Sequence, residues 1–144
     1  MILVLNQELF DAALFFLDSR FPDGADGGCA AMKCASGKIL ISTKVPNKNE
    51  SAVLCHETGA IAEAWKLGEK VVASICLSRK NGEKPVVFSP CGLCQERLMV
   101  FCNFDFSEAS DIEIAVPDPE NKCGFLVRKL SELQPYYWRN VKKY

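Results

Sequence analysis

Val71 to Leu77 is an almost continuous apolar run of strand length. A strand with no polar face must be covered on both sides, so the run predicts an interior strand of a sheet with helices on each face. The flanking pattern agrees. From Asn6, a residue suited to cap a helix, Phe10, Ala13, Leu14 and Leu17 recur at helical spacing. That helix is expected to stop near Phe21–Pro22 and the glycines Gly24, Gly27 and Gly28. Cys29 to Cys34 and Lys38 to Thr43 read as a hairpin around Ala35–Ser36–Gly37. After the polar loop Pro46 to Ser51, a second helix is expected from Val53 to Leu67, closed by Gly68. An Asn81–Gly82 turn and Val86 to Phe88 follow, and Ser89–Pro90 opens a third helix. Ile112 to Val116 and Gly124 to Val127 read as late strands, and Lys129 to Trp138 as a short helix interrupted at Pro135.

With 144 residues, the chain is expected to form a single domain over residues 1–144. A net charge of −1, with no basic cluster beyond Arg139, Lys142 and Lys143, argues against nucleic acid as a partner. Met1 to Leu5 is apolar but lacks a positive leader, and no segment approaches the roughly 20 apolar residues that span a bilayer. The expected location is the cytoplasm, with no membrane partner. The eight cysteines do not read as a disulfide scaffold, because the chain is rich in core-forming residues and shows no export signal. Cys29, Cys34, Cys76, Cys102 and Cys123 mostly lie in apolar runs and are expected to be small buried residues.

The chemistry is carried by Leu54–Cys55–His56–Glu57 and Ser89–Pro90–Cys91–Gly92–Leu93–Cys94. Cys91 and Cys94, three apart at the start of a helix, face the same side, where the helix dipole favours thiolates. Cys55 is expected to open the second helix. Three thiolates with an open fourth position make a catalytic zinc site, and the metal activates the water that fills that position. Glu57 is placed to move protons without binding the metal. It is expected on one inward helical face with Leu54, Ile61 and Trp65. Two other readings remain. One is a structural four-ligand clamp using His56, Cys76 or Cys102, although His56 points about 100° away from Cys55 around a helix. The other is a redox CxxC pair, which leaves Cys55 and Glu57 unexplained.

The pair Cys55-x-Glu57 with Pro90–Cys91-x-x-Cys94 resembles the signature of the cytidine deaminase superfamily. Phe21–Pro22–Asp23–Gly24–Ala25 resembles the FPVGA segment of small cytidine deaminases, and Ser89 to Cys94 their SPCGxC. Leu130 to Trp138 resembles the closing segment of blasticidin S deaminases. The resemblance implies a three-layer α/β/α sandwich with a mixed five-stranded sheet. It also implies a homo-oligomer, tetramer or dimer, with active sites near subunit contacts. The implied activity is zinc-dependent hydrolytic deamination of a small molecule, a cytosine-like ring in a nucleoside or nucleoside analogue. Deamination of another heterocycle or an antibiotic such as blasticidin S is the alternative, and a silent zinc-binding scaffold is the non-enzymatic one.

Three positions depart from the pattern. Nucleoside deaminases grip the ribose with an Asn-x-Glu pair where this chain has Lys44 and Pro46; the run Asn47–Lys48–Asn49–Glu50 is the expected replacement or else a solvated loop. His56 stands in place of Ala, as a packed histidine, a substrate contact or a donor to a thiolate. Thr58 stands where three-cysteine members carry an Arg, and Arg97 is a candidate to offset the thiolate charge or a solvated helix residue. By resemblance Phe21 lines the base pocket, or it is core; Trp138 caps a site in its own or a neighbouring subunit, or it anchors the C-terminal segment.

Overall fold

The computed structural model describes residues 5–140. Met1 to Val4 and the tail residues Lys142 and Lys143 lie outside the described residues. Helix α1 (Gln7–Arg20) leads into a hairpin of β1 (Gly27–Cys34) and β2 (Ile39–Ser42). Helix α2 (Thr58–Leu67), β3 (Val71–Arg79), β4 (Val86–Phe88) and α3 (Gly92–Leu98) follow. A second hairpin, β5 (Glu113–Asp118) and β6 (Asn121–Lys129), runs into α4 (Leu130–Leu133).

The strands form one mixed sheet in the order β2-β1-β3-β5-β6. β1 is antiparallel to β2 and β3, whereas β3 and β5 are parallel. The expected five strands make up this path, and β4 adds a sixth by pairing with the end of β3, Cys76 opposite Phe88. The apolar run is the interior strand and both its faces are covered. Ala73, Ile75 and Leu77 pack with Leu9, Ala13 and Leu17 of α1. On the other face Met32, Val71 and Ile114 pack with Ala60, Ile61 and Ala64 of α2 and Leu98 of α3. Burying such side chains on two sheet faces is the main stabilising term, at about 1.5–3 kcal/mol for each large one.

α1 starts as expected, with Asn6 at its cap, whereas α2 and α3 start later than expected. Val45 and Leu54 exchange both backbone hydrogen bonds at 3.1 Å, so Leu54 belongs to a strand-like bridge rather than a first turn. That pairing delays α2 to Thr58, with Glu57 at its cap position. Of the expected inward face, Glu57 and Ile61 are buried, whereas Leu54, in the bridge, is 41 % and Trp65 66 % exposed. α3 likewise starts at Gly92 rather than at Ser89–Pro90, because the chain stays extended through Cys91 (φ −66°, ψ 166°). The last helix ends at Leu133, ahead of Pro135, instead of running to Trp138. Of the cysteines expected to be buried, Cys29, Cys34, Cys76 and Cys102 are, and Cys123 on the β6 edge is exposed.

Arg79 closes the sheet end nearest the site. It is 7 % exposed and donates to the Asp18 carboxylate and to the carbonyl oxygens of Phe21 (2.6 Å) and Ala25 (3.2 Å). One guanidinium thus fixes the α1–β1 loop and the position of Phe21. Arg79→Ala is expected to cost about 2 kcal/mol, the scale of charged hydrogen bonds discounted for the exposed Asp18. Thermal unfolding checks this, and an unchanged midpoint would remove Arg79 from that role.

Candidate metal centre and adjoining cavities

The Val45–Leu54 bridge leaves Cys55–His56–Glu57 in a turn that points at the start of α3. Cys91 at the α3 cap and Cys94 in its first turn come from the other side. The three sulfurs all lie within 4.8 Å of one another, and those of Cys55 and Cys91 are 3.8 Å apart, too far for a disulfide. Among the described residues this is the one such group of potential metal ligands, and Cys76, Cys102 and His56 are not part of it.

The thiols do not hold their protons alike. Burial works to raise Cys91, but the backbone N–H groups of Cys94 and Leu93 and the neighbouring thiols outweigh it, leaving Cys91 below the ordinary thiol range. Cys94 is pushed up to about 12, by burial first and then by the negative charges of Glu57, Cys55 and Cys91. Cys55 is raised by burial and by Cys91. Thiolates crowded beside a carboxylate repel one another, and a divalent cation among the sulfurs reverses that penalty. Arg97 already acts against it: its Nη1 lies 3.8 Å from Cys94 Sγ and donates to Thr58 Oγ1 at 2.9 Å.

Glu57 is 4 % exposed. Burial raises its carboxyl, while the thiols of Cys94 and Cys76 pull the other way. Cys76 itself is raised by burial and by the Glu57 charge, so it stays a neutral thiol against the carboxylate. The sequence offered no signal for this contact, because Cys76 looks like any other residue of an apolar strand.

His56 Nδ1 accepts the Lys44 backbone N–H at 3.0 Å, and Ser42 Oγ donates to the His56 carbonyl oxygen. Burial, then the Lys44 charge, lowers its pKa, so the imidazole is neutral with its proton on Nε2. The ring is seated against Gly28, where a Cβ would fall 2.6 Å from His56 Cε1. No larger residue fits there without moving the ring.

Two cavities flank the imidazole. The inner one, about 430 Å³, is lined by Cys55, Glu57, Cys76 and Cys91 and by Val53, Phe88 and Ser89. The outer one, about 380 Å³, is lined by Phe21, Gly27, Gly28, Thr43 and Pro46 together with Arg20, Asp26 and Arg79. Both share Lys44, His56, Ser78 and Lys80. Phe21 thus reaches the outer cavity, its ring lying where a Gly27 Cβ would come within 2.4 Å. Asn47 and Glu50 line neither cavity: Asn47 Oδ1 accepts the Asn49 N–H at 2.9 Å, and Glu50 opens an exposed single turn. Trp138 also lines neither. Its Nε1 and the Tyr137 hydroxyl both donate to Glu96 of α3, at 3.1 and 2.8 Å, which ties the C-terminal segment to that helix.

No protein-family profile and no curated protein sequence matches the chain. Solved structures do. The structure is similar to that of a cytidine deaminase from Bacillus anthracis, with a TM-score of 0.78 and 36 % identity over 92 % of this chain and 88 % of that one. The chain belongs to the cytidine deaminase superfamily. Cytidine deaminases from Mycobacterium leprae (TM-score 0.64, 22 % identity, 91 % of this chain and 98 % of that one) and Burkholderia pseudomallei (TM-score 0.65, 18 % identity, 92 % and 98 %) share the fold.

Within this superfamily the exchange at Thr58 is instructive. The hydroxyl at that position binds an arginine that reaches in from α3, so the guanidinium arrives at a sulfur from a different helix. Outer contacts of this kind are worth about 10- to 100-fold in metal affinity. Arg97→Ala is therefore expected to weaken divalent-metal binding about tenfold in a chelator competition titration. Equal affinity in the variant would reduce Arg97 to a solvated helix residue.

Proposed function

We propose that the chain is a zinc-dependent hydrolase that replaces the amino group of a cytosine-like ring, in a nucleoside or nucleoside analogue, with oxygen and releases ammonia. The observation that carries this reading is the convergence of three sulfurs beside a buried carboxylate. A tetrahedral zinc with Zn–S bonds of about 2.3 Å needs sulfurs about 3.8 Å apart. The Cys55–Cys91 separation of 3.8 Å meets that requirement without rearrangement. Cys55, Cys91 and Cys94 would hold the metal, and a zinc so bound supplies an activated water.

Glu57 does the proton work. The water oxygen bonds to the ring carbon and the carbon–nitrogen bond breaks. One water proton ends on the ring nitrogen and the other on the departing amine, both carried by Glu57. A carboxylate whose pKa is raised by burial takes up a proton more readily than an exposed one, which suits a group that must first accept each water proton before passing it on. Burial of Glu57, 4 % exposed and set against the buried Cys76, limits competition from bulk water. His56, neutral and hydrogen-bonded to the Lys44 backbone, sets the boundary between the ring seat and the outer cavity.

The purified protein is expected to carry about one zinc per chain by elemental analysis, and Cys91→Ser to lose most of it. Full zinc retention in Cys91→Ser would end the assignment of that ligand. Glu57→Gln preserves shape but cannot take up a proton. It is expected to keep its zinc while ammonia release falls by about 10² or more. The assay uses cytosine, cytidine, deoxycytidine, blasticidin S and aminated purines. Zinc retained without ammonia from any of them would point to the silent scaffold instead.

A further inference from the structure

We infer that the substrate carries an anionic group, phosphate or carboxylate, held by Lys44 and Lys80 at the junction of the two cavities. This deepens the deaminase reading and rests on it. The inner cavity ends at the cysteines and Glu57, so a ring seated there extends its substituent past His56 towards the outer cavity. Lys44 and Lys80 line both cavities and therefore flank that passage.

The charges along the passage do not balance. Arg79 is committed to Asp18, and Asp26 accepts the Asn81 N–H at 2.8 Å. Arg20 lies over the Phe21 ring, 4.9 Å from its centroid, without a carboxylate partner among the described residues. Lys44 and Lys80 likewise make no ion pair among the described residues, where the lysines that do are Lys33 and Lys122. Three unpaired cations thus face one acid across about 380 Å³, space enough for a sugar-sized group with its charge. Lysine suits this task, since its ammonium is a compact charge with three donors on a flexible stem. A neutral ribose would instead need fixed acceptors for its hydroxyls. Around the same cavity Pro46 offers no side-chain acceptor, Asp26 already accepts the Asn81 N–H, and Thr43 Oγ1 is tied to the Gly28 carbonyl.

Zinc-loaded protein tests this with three probes that share a ring: cytidine, cytidine 5′-monophosphate and N1-carboxymethylcytosine. The two charged probes separate phosphate from carboxylate. Ammonia release is expected to show kcat/KM at least about tenfold higher for one charged probe than for cytidine, as one charge-assisted contact provides. Raising the ionic strength is expected to erode that preference through KM. Lys44→Ala and Lys80→Ala are each expected to cut kcat/KM for the charged probe about tenfold more than for cytidine, with zinc content and unfolding midpoint retained. A preference for cytidine, or equal losses on all three probes, overturns the proposal and leaves the lysines as general counter-charges to the metal site. Calorimetric titration with the same probes reads the anion site independently of turnover. Charged probes that bind tighter without ammonia release keep the anion site and defeat the deaminase reading. Probes that bind equally, or not at all, defeat the anion site.

Discussion

β3 has two edges and three partners. One edge pairs with β1 from Gly27–Arg79 to Cys34–Val71, the full length of the strand. The other pairs with β5 at Ala73 and Ser74 and then with β4 at Cys76 to Ser78. Between those two registers the sheet divides, since β5 continues with β6 while β4 turns off towards α3. A split of this kind leaves a crevice at the strand ends, where α/β sheets place their ligands. Cys76 stands at the division and touches Glu57. β4 delivers Cys91, three residues after its end, to the same place. The site is thus a consequence of one strand changing partners.

The second delivery depends on a backbone contest. A helix beginning at Val53 would need the carbonyl of Leu54, which the bridge to Val45 has already taken. The bridge prevails because Pro46 ends the extended segment after β2 and keeps Val45 opposite Leu54. Had the helix prevailed, Cys55 and Glu57 would sit on a regular surface, 200° apart around its axis. In the turn they adopt, both side chains reach one crevice. The N–H groups at the start of α3 meet Cys91 from the opposite side, so the backbone supplies part of the positive potential that holds a thiolate.

This explains what was legible in the sequence. The apolar run of β3, the turn of the first hairpin and the helical spacing of Phe10, Ala13, Leu14 and Leu17 each express one element or one turn by itself, which is local information. The residue types Cys55, Glu57, Cys91 and Cys94 were legible because three thiols and a carboxylate at those separations have few uses. The start of α2 was not, because it depends on Val45 finding Leu54 nine residues away. The exposure of Leu54 follows from that same shift, since it pairs with Val45 instead of opening a helix. The run Asn47 to Glu50 looked like a substrate reader by proximity in the chain. Its polar groups instead serve its own turn, with Asn49 accepting from Ser51, and Lys44 stands nearer the passage. Cys76 was invisible because its role comes from facing Glu57 across the fold.

Charge ties the outer cavity to the inner one. Three thiolates around a divalent cation leave one negative charge, and Glu57 beside them adds another when ionised. Such a centre attracts cations and resists anions. The chain answers with Arg97 on the α3 side and with Lys44 and Lys80 on the open side. His56, sitting between, is kept uncharged by burial and by the Lys44 charge, with its Nδ1 tied to the Lys44 backbone. A cationic imidazole there would draw an anionic substituent inward against Glu57. A neutral one lets the lysines set the potential at the entrance while the carboxylate governs the interior. A substrate of the proposed kind, a ring with an anionic substituent, would then meet opposite fields, and the order of those fields along the passage would fix which end enters first.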